Sequence, residues 1–224
     1  ELFLLELNAW QNRYRWERQT ATILPADRIL LKKFLNQLPF RLTLDQEKAT
    51  KEILSDMAKS RPMNRLLQGD VGSGKTVVAA VALLTCAARG YQAALMVPTE
   101  VLAGQHYIKL LEYFSGLAGP LGLLTREAVR VDRKSVSKAR LLALAKAGEI
   151  KIIIGTHALI QKDLRFKNLR LAVVDEQHRF GVKQRQTLVK MSGSQQTAPH
   201  LLSMTATPIP RTLALSIFGD LDLS

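Results

Sequence analysis

Glycine, lysine and threonine residues stand at the spacing of a phosphate-binding loop between positions 69 and 76. Gly69 and Gly74 enclose four residues and are followed by Lys75 and Thr76, which matches the pattern G-x-x-x-x-G-K-[ST]. Glycines let backbone N–H groups surround a triphosphate, a lysine reaches its β- and γ-phosphates, and a threonine hydroxyl binds Mg²⁺. We therefore predict a site for a nucleoside triphosphate and Mg²⁺, formed by Gly69, Asp70, Val71, Gly72, Ser73, Gly74, Lys75 and Thr76.

An acidic pair, Asp175-Glu176, follows an apolar run at 171–174 that is typical of a buried strand. Ligands collect at the carboxyl ends of the strands in an α/β sheet, so this pair and the loop should meet at one edge. Asp175 can then hold Mg²⁺ opposite Thr76, and Glu176 can polarise an attacking water. The combination predicts nucleotide hydrolysis, with Lys75 as a catalytic cation and Thr76, Asp175 and Glu176 as the magnesium set.

Hydroxyl side chains follow a further strand at 203–208. Thr205 and Thr207 could bond His178, which stands two residues after Glu176, and so report the state of the γ-phosphate to the rest of the domain. The alternative is an ordinary threonine-rich turn before a helix. The residues alone leave both interpretations open.

The charge balance indicates a polyanionic partner. The chain of 224 residues has 32 Lys and Arg against 19 Asp and Glu, a net charge of +13, and a pI near 10.1. Such an excess is typical of nucleic-acid-binding proteins, although a solvated basic surface without a partner is the alternative.

Other functional classes are excluded or disfavoured by composition. No apolar run approaches the roughly 20 residues that span a bilayer, and Phe3-Leu4-Leu5 is too short for a signal peptide. The single cysteine, Cys86, excludes an internal disulfide and is expected to be a small buried hydrophobe, which fits a reducing cytosol. No cluster of His and Cys has the spacing of zinc ligands.

Alternating helices and strands must position these residues. Thr43 and Gln46 form a capping-box pattern at the start of a helix, Thr99 can cap another, and three isoleucines mark a buried strand at 151–155. Helices are predicted at 2–19, 26–37, 43–59, 77–84, 99–114, 133–147 and 211–218, and strands at 65–68, 92–97, 121–124, 151–155, 171–174 and 200–204. The mostly apolar strands predict an α/β fold, with a mostly parallel sheet covered by helices on both faces.

The order of these motifs resembles that of superfamily-two helicases, and in finer detail the RecG family of bacterial branch-migrating DNA helicases. The resemblance covers about residues 38–224. It is carried by Phe40, Thr43 and Gln46 and by the segments 69–79, 97–103, 155–160, 175–181 and 204–213.

The resemblance implies a RecA-like P-loop domain at 39–224, the first of two motor lobes, after a helical linker at 1–38. The family's second lobe and its junction-splitting wedge have no counterpart in these residues, so we expect a piece of a longer protein. The implied reaction is ATP hydrolysis that drives movement along duplex DNA and remodelling of forks and Holliday junctions. A monomer in the bacterial cytoplasm, with ATP, Mg²⁺ and branched or duplex DNA as its ligands, is expected.

The resemblance also implies roles for single residues. Phe40 and Gln46 correspond to the adenine-recognition element, and His178, Thr205 and Thr207 to residues that couple hydrolysis to motion. Since the family's arginine finger lies on the second lobe and is worth about 10³- to 10⁵-fold in rate, the isolated chain should bind ATP but hydrolyse it poorly. The DNA-backbone contacts correspond to Thr99, Gln105, His106, Thr156 and His157.

One departure and two alternatives qualify the resemblance. Arg126-Glu127 stands where the family usually has Gly-Ser, so we do not include the neighbouring Thr125 among the DNA contacts. The transcription-repair coupling translocases share 208–213, but they usually have a bulkier residue at Ser73 and a glutamate at Gln177. A non-catalytic module that binds nucleotide and DNA is the other alternative.

Overall fold

The computed structural model describes residues 11, 14, 16, 18–156, 159, 163–175, 187, 188, 190–193, 197–206 and 222–224. The helices within these residues are α1 (Arg28–Gln37), α2 (Leu44–Met57), α3 (Lys75–Ala88), α4 (Glu100–Tyr113) and α5 (Lys138–Ala147). None of them is long and apolar enough to cross a membrane. The predicted helix at 211–218, and most of the one at 2–19, lie outside the described residues.

One large sheet forms the centre of the domain. Its strands are β2 (Asn64–Gln68), β3 (Gln92–Met96), β4 (Leu121–Leu124), β5 (Val129–Val131), β6 (Lys134–Ser135), β7 (Ile152–Gly155), β8 (Leu169–Asp175), β10 (His200–Thr205) and β11 (Asp222–Leu223). The order in space is β11-β2-β10-β8-β3-β7-β4-β5-β6. All pairs from β11 to β4 are parallel, and β5 and β6 add an antiparallel edge. The prediction of a mostly parallel sheet is therefore confirmed.

Apolar side chains cover both faces of this sheet. Ile152 and Ile154 belong to one hydrophobic cluster, with residues of α1, α2, α3 and α4. Ile153, which points to the opposite face because side chains alternate along a strand, belongs to a second cluster with residues of α5. Cys86 is fully buried in the first cluster, as predicted, and burial raises the pKa of its thiol to about 12.

The predicted helix at 133–147 begins too early, because a β-hairpin occupies its first residues. β5 and β6 pair across a turn at Asp132, which has a positive φ of 51°. The Asp132 carboxylate accepts the backbone N–H of Leu121 over 2.9 Å, which fixes the hairpin against β4. The helix α5 starts only after Ser137, whose hydroxyl accepts the N–H of Arg140.

The segment before α1 is joined to the sheet by hydrogen bonds. Its short strand β1 (Thr20–Ala21) pairs in parallel with β9 (Thr197–Ala198) in a separate two-stranded sheet, and β9 leads directly into β10 of the large sheet. The imidazole of His200 accepts the N–H of Met63 at Nδ1 over 3.0 Å, and its Nε2 lies 2.8 Å from the carbonyl oxygen of Thr22. Burial lowers the pKa of this fully buried imidazole.

Candidate active site

The glycine-rich loop connects the carboxyl end of β2 to the first residue of α3. Gly72 and Gly74 have φ values of +82° and +84°, a conformation that side chains with a Cβ rarely adopt. Gly74 is the N-cap of α3 and supplies no side-chain cap, so the N–H groups of the first turn face the loop. The N–H of Gly69 donates to the carbonyl oxygen of Thr205 over 3.3 Å, which ties the loop to the end of β10.

The side chain of Lys75 folds back over this loop. Its ammonium donates to the carbonyl oxygen of Gly69 over 2.6 Å and to that of Asp70 over 2.9 Å. Thr76 follows on the first turn of α3 and is half-buried. A cation and a hydroxyl therefore lie next to the positive end of a helix, which is the arrangement that binds phosphate groups.

Gln46 joins α2 to the loop. The predicted capping box is confirmed, because the Gln46 Oε1 accepts the N–H of Thr43 and the Thr43 hydroxyl accepts the N–H of Gln46. The Nε2 of Gln46 donates in turn to the carbonyl oxygen of Ser73 over 2.8 Å. A Cβ on Gly74 would overlap that nitrogen. Phe40 stands before this helix with 42% of its surface exposed.

Asp175 ends β8 on the same edge of the sheet. The register places Met204 of β10 opposite Asp175 on one side and opposite Leu67 of β2 on the other. Only β10 separates the two strands, which puts them about 9 to 10 Å apart. The structure therefore brings the acidic residue and the glycine-rich loop to one edge, as the order of the motifs predicts.

The predicted DNA contacts on α4 have different surroundings. Thr99 is the N-cap of α4, its hydroxyl accepts the N–H of Leu102 over 3.2 Å, and the residue is exposed. Gln105 is also exposed. The next residue, His106, has only 12% of its side chain exposed, and its Nε2 lies 3.4 Å from the Oδ2 of Asp175, a carboxylate whose side chain is 14% exposed.

The inner face of α4 is anchored to the hairpin. Tyr107 is 2% exposed and donates its hydroxyl to the carbonyl oxygen of Asp132. Burial raises the pKa of Tyr107 above its usual value. The helix that presents Thr99 and Gln105 is therefore fixed along its buried side.

Glu100 has a role that sequence reasoning missed. Its carboxylate accepts the N–H of Arg126 over 3.2 Å and that of Glu127 over 3.1 Å. The departure at Arg126-Glu127 is thus a turn held by the start of α4. Thr125 is buried and its hydroxyl accepts the N–H of Ala128 over 2.9 Å. The only signal in the sequence was that Glu100 directly follows the predicted cap.

The remaining predicted site residues divide into two groups. Thr156 follows β7, and its carbonyl oxygen accepts the N–H of Leu159. Thr205 ends β10 and is 1% exposed. The other members of the predicted catalytic, DNA-binding and coupling sets lie outside the described residues, namely His157, Glu176, His178 and Thr207.

The oxygen donors at this edge fit Mg²⁺. A threonine hydroxyl and an aspartate carboxylate are hard ligands, and Mg²⁺ is commonly held by one or two carboxylates together with substrate phosphates. The described part of the chain has no group of three or more His, Cys, Asp or Glu side chains that could hold a metal by itself. A site completed by a bound nucleotide agrees with both observations.

Comparisons with known proteins place this arrangement in a family. The DEAD/DEAH box helicase family matches residues 43–215. The chain is 50% identical to the ATP-dependent DNA helicase RecG of Synechocystis sp., 49% to that of Aquifex aeolicus and 47% to that of Bacillus subtilis. Each match covers the whole chain but only 26%, 27% and 31% of the three relatives, respectively.

Solved structures agree with these similarities. A structure of RecG bound to a three-way DNA junction matches all of this chain with a TM-score of 0.84 and 42% identity, over 29% of its own length. The helicase MrfA bound to DNA matches 92% of this chain, over 30% of its own length, with a TM-score of 0.63 at 19% identity, which shows the fold alone. The predicted resemblance to RecG is thus confirmed, and the chain belongs to the DEAD/DEAH box helicase family.

Proposed function

We propose that this chain is the ATP-binding motor lobe of a DNA helicase that remodels stalled forks and Holliday junctions. The observation that carries the proposal is the meeting of the glycine-rich loop and Asp175 at one edge of the sheet, beside the exposed start of α4. Residues 39–224 form the RecA-like lobe and 1–38 a helical linker. The similarity to relatives named RecG favours junction remodelling over transcription-repair coupling.

The nucleotide would be held from two sides. The ring of Phe40 is exposed enough to stack on adenine, and the Gln46 amide keeps a second N–H and a second lone pair besides its bonds to Ser73 and Thr43. The loop 69–76 surrounds the phosphates with its N–H groups. Binding lets the Lys75 ammonium exchange two carbonyl oxygens for the β- and γ-phosphate oxygens.

Hydrolysis follows from charge stabilisation and positioning. Thr76 and Asp175 would hold Mg²⁺, and the ion would supply positive charge against the negative charge that develops on the phosphates. Glu176 orients the attacking water, and Lys75 stabilises the transferred phosphoryl group. His178, Thr205 and Thr207 relay the state of the γ-phosphate. The bond from the Gly69 N–H to the Thr205 carbonyl supports this role, since it joins the loop to the relay strand.

DNA would be held by its backbone. Exposed hydroxyl and amide groups at Thr99 and Gln105 suit phosphate contacts, which position a strand without reading its sequence. Thr156 and His157 extend the row after β7, whereas His106, which the resemblance placed in this row, has its imidazole beside Asp175. The net charge of +13 strengthens such contacts.

The chain spans only about a quarter to a third of the length of these relatives. A second lobe elsewhere in the protein would then supply an arginine finger, worth about 10³- to 10⁵-fold in rate. The isolated lobe is therefore expected to bind ATP but hydrolyse it slowly. A monomer working in the bacterial cytoplasm completes the proposal, because both the nucleotide and the DNA are found there.

The test is Lys75→Ala in the full-length protein. Without the ammonium, DNA-stimulated ATP hydrolysis should fall by at least about 100-fold, the scale of losing one electrostatic group at a reacting centre. The matched control is Lys51→Ala, because the Lys51 side chain is 80% exposed and forms a surface pair with Glu47. This control should retain wild-type hydrolysis and junction unwinding.

Two results would contradict the proposal. Junction unwinding that survives Lys75→Ala would mean that nucleotide binding is not coupled to the motor, which is the behaviour of a non-catalytic module. Displacement of RNA polymerase without junction unwinding by the wild-type protein would point to a coupling translocase instead.

A further inference from the structure

We infer that His106 is a positioning residue that orients the Asp175 carboxylate and links the DNA-facing helix α4 to the magnesium site. The inference rests on the proposed function, since it concerns the same edge of the sheet. It adds a role for His106 other than contact with DNA.

His106 of α4 lies beside Asp175 at the end of β8. The His106 Nε2 lies 3.4 Å from the Asp175 Oδ2, and the side chains are 12% and 14% exposed. Helical side chains lean toward the N-terminus of their helix. A residue in the second turn of α4 can therefore reach back to the sheet edge where β3, the strand before α4, and its neighbour β8 end. The contact joins elements that are separated by 69 positions in the sequence and places a nitrogen directly beside one carboxylate oxygen.

A carboxylate ligand of a metal ion is oriented by its own hydrogen-bonding partners. A carboxylate that binds Mg²⁺ needs one oxygen aimed at the ion, and a hydrogen-bonding partner on the other oxygen fixes that direction. Partners of this kind usually matter nearly as much as the ligands themselves. Within the described part of the chain, His106 places its Nε2 3.4 Å from the Asp175 Oδ2 and is therefore the side chain that can serve as this partner.

The helix α4 also presents exposed polar side chains next to His106. Thr99 caps the helix and Gln105 precedes His106, and both are exposed at the edge proposed for DNA. Thr99, Gln105 and His106 lie on one continuous helix, so a DNA phosphate held at its first turns is connected to Asp175 through the backbone of α4. The imidazole of His106 is mostly covered by protein and lies beside Asp175, whereas Gln105 is exposed. His106 is therefore placed to orient the metal ligand, and Gln105 to contact DNA.

The test compares three variants of His106 in the full-length protein. His106→Ala removes the contact, and His106→Gln restores an N–H close to the position of the imidazole Nε2, whereas His106→Asn is too short to reach Asp175. Ile108→Ala is the matched control, because Ile108 lies on the same helix and is 55% exposed. Four quantities are measured: the affinity for a labelled DNA junction, the melting temperature, the Mg²⁺ midpoint for binding of a fluorescent ADP, and DNA-stimulated hydrolysis.

We expect a split between these quantities. His106→Ala and His106→Asn should raise the Mg²⁺ midpoint by about tenfold and lower the stimulation of hydrolysis by DNA about as much. Junction affinity and melting temperature should stay at the wild-type values. His106→Gln should bring the midpoint to within about threefold of the wild type, and Ile108→Ala should change none of the four.

Several outcomes overturn the inference. An unchanged Mg²⁺ midpoint for His106→Ala does so, and if junction affinity is weakened at the same time, His106 contacts DNA directly. Equal losses in His106→Gln and His106→Ala together with a lowered melting temperature would reveal a packing role. If the wild type hydrolyses no ATP with DNA, the proposed function itself fails, and that result is distinct from an active wild type whose variants keep their midpoint.

Discussion

The two glycines with positive φ in the phosphate-binding loop allow strain and steric overlap to be separated. Gly72→Ala would meet no protein atom within 4 Å, so its cost within the protein is the backbone conformation at φ +82°. Gly74→Ala has the same cost at φ +84° and in addition makes its Cβ overlap the Gln46 Nε2. Gly104→Ala is the control, because that glycine lies inside α4 without a positive φ and with nothing within 4 Å.

The magnitudes follow from these contacts. A left-handed conformation costs an alanine about 1 to 2 kcal/mol, and a strained loop relaxes to other shapes that binding must reverse. Gly72→Ala should therefore weaken nucleotide affinity about 5- to 30-fold. In Gly74→Ala the Gln46 amide must also move and lose its 2.8 Å bond to Ser73. That bond is worth about 0.5 to 1.5 kcal/mol, so affinity should fall a further 2- to 12-fold or so.

Titration of a fluorescent ADP into each variant of the full-length protein measures these losses. Gly104→Ala should bind as the wild type does. Adding Gln46→Ala to Gly74→Ala removes the overlapping group, so the double variant should lose less than the sum of the two single effects. Equal affinities for Gly72→Ala and Gly74→Ala, or full additivity of the double variant, would refute the role assigned to the Gln46 amide.

Two further predictions concern stability. Gln92→Leu removes a fully buried amide that donates to the carbonyl oxygens of Ala145 and Ile150 over 2.9 Å each, so the free energy of unfolding in urea should fall by about 2 to 6 kcal/mol. The control is Gln37→Leu, because Gln37 is exposed and its replacement should change the free energy of unfolding by less than about 0.5 kcal/mol. A loss below about 1 kcal/mol in Gln92→Leu would contradict the prediction. Burial lowers the pKa of His200 from its usual 6.5, so the unfolded chain takes up the proton first, and stability should be full above about pH 6.5 and fall below it toward the lowered folded pKa. Between about pH 7.5 and about pH 5.5, the free energy of unfolding should fall by up to about 1.4 kcal/mol more in the wild type than in His200→Gln. An equal pH dependence of the two proteins would contradict a lowered pKa of His200.

Local features of the fold could be predicted from neighbouring residues. The capping box of Thr43 and Gln46 and the cap at Thr99 were predicted correctly, because a cap depends on side chains and N–H groups only three residues apart. The three isoleucines of β7 were predicted as a buried strand because both of its faces are apolar.

Other features depended on partners far away in the sequence. The helical period of 138–147 could be extended backward to 133, and nothing local showed that Lys134 and Ser135 pair with β5 instead. The hairpin forms because Asp132 adopts a positive φ and bonds to Leu121, a residue of another strand. A pattern of side chains cannot reveal that contact.

By itself, the sequence determined the phosphate-binding loop, the acidic residue that follows a strand, and their place at the carboxyl ends of parallel strands. These depend on residue type, short spacing and strand direction, which are properties of the chain. Only the tertiary structure decided that His106 turns toward Asp175 while Gln105 faces outward, and that Glu100 holds the turn at Arg126. The reason is physical: helix rotation and strand register are set by packing of the whole core, and a rotation of one residue exchanges a buried side chain for an exposed one.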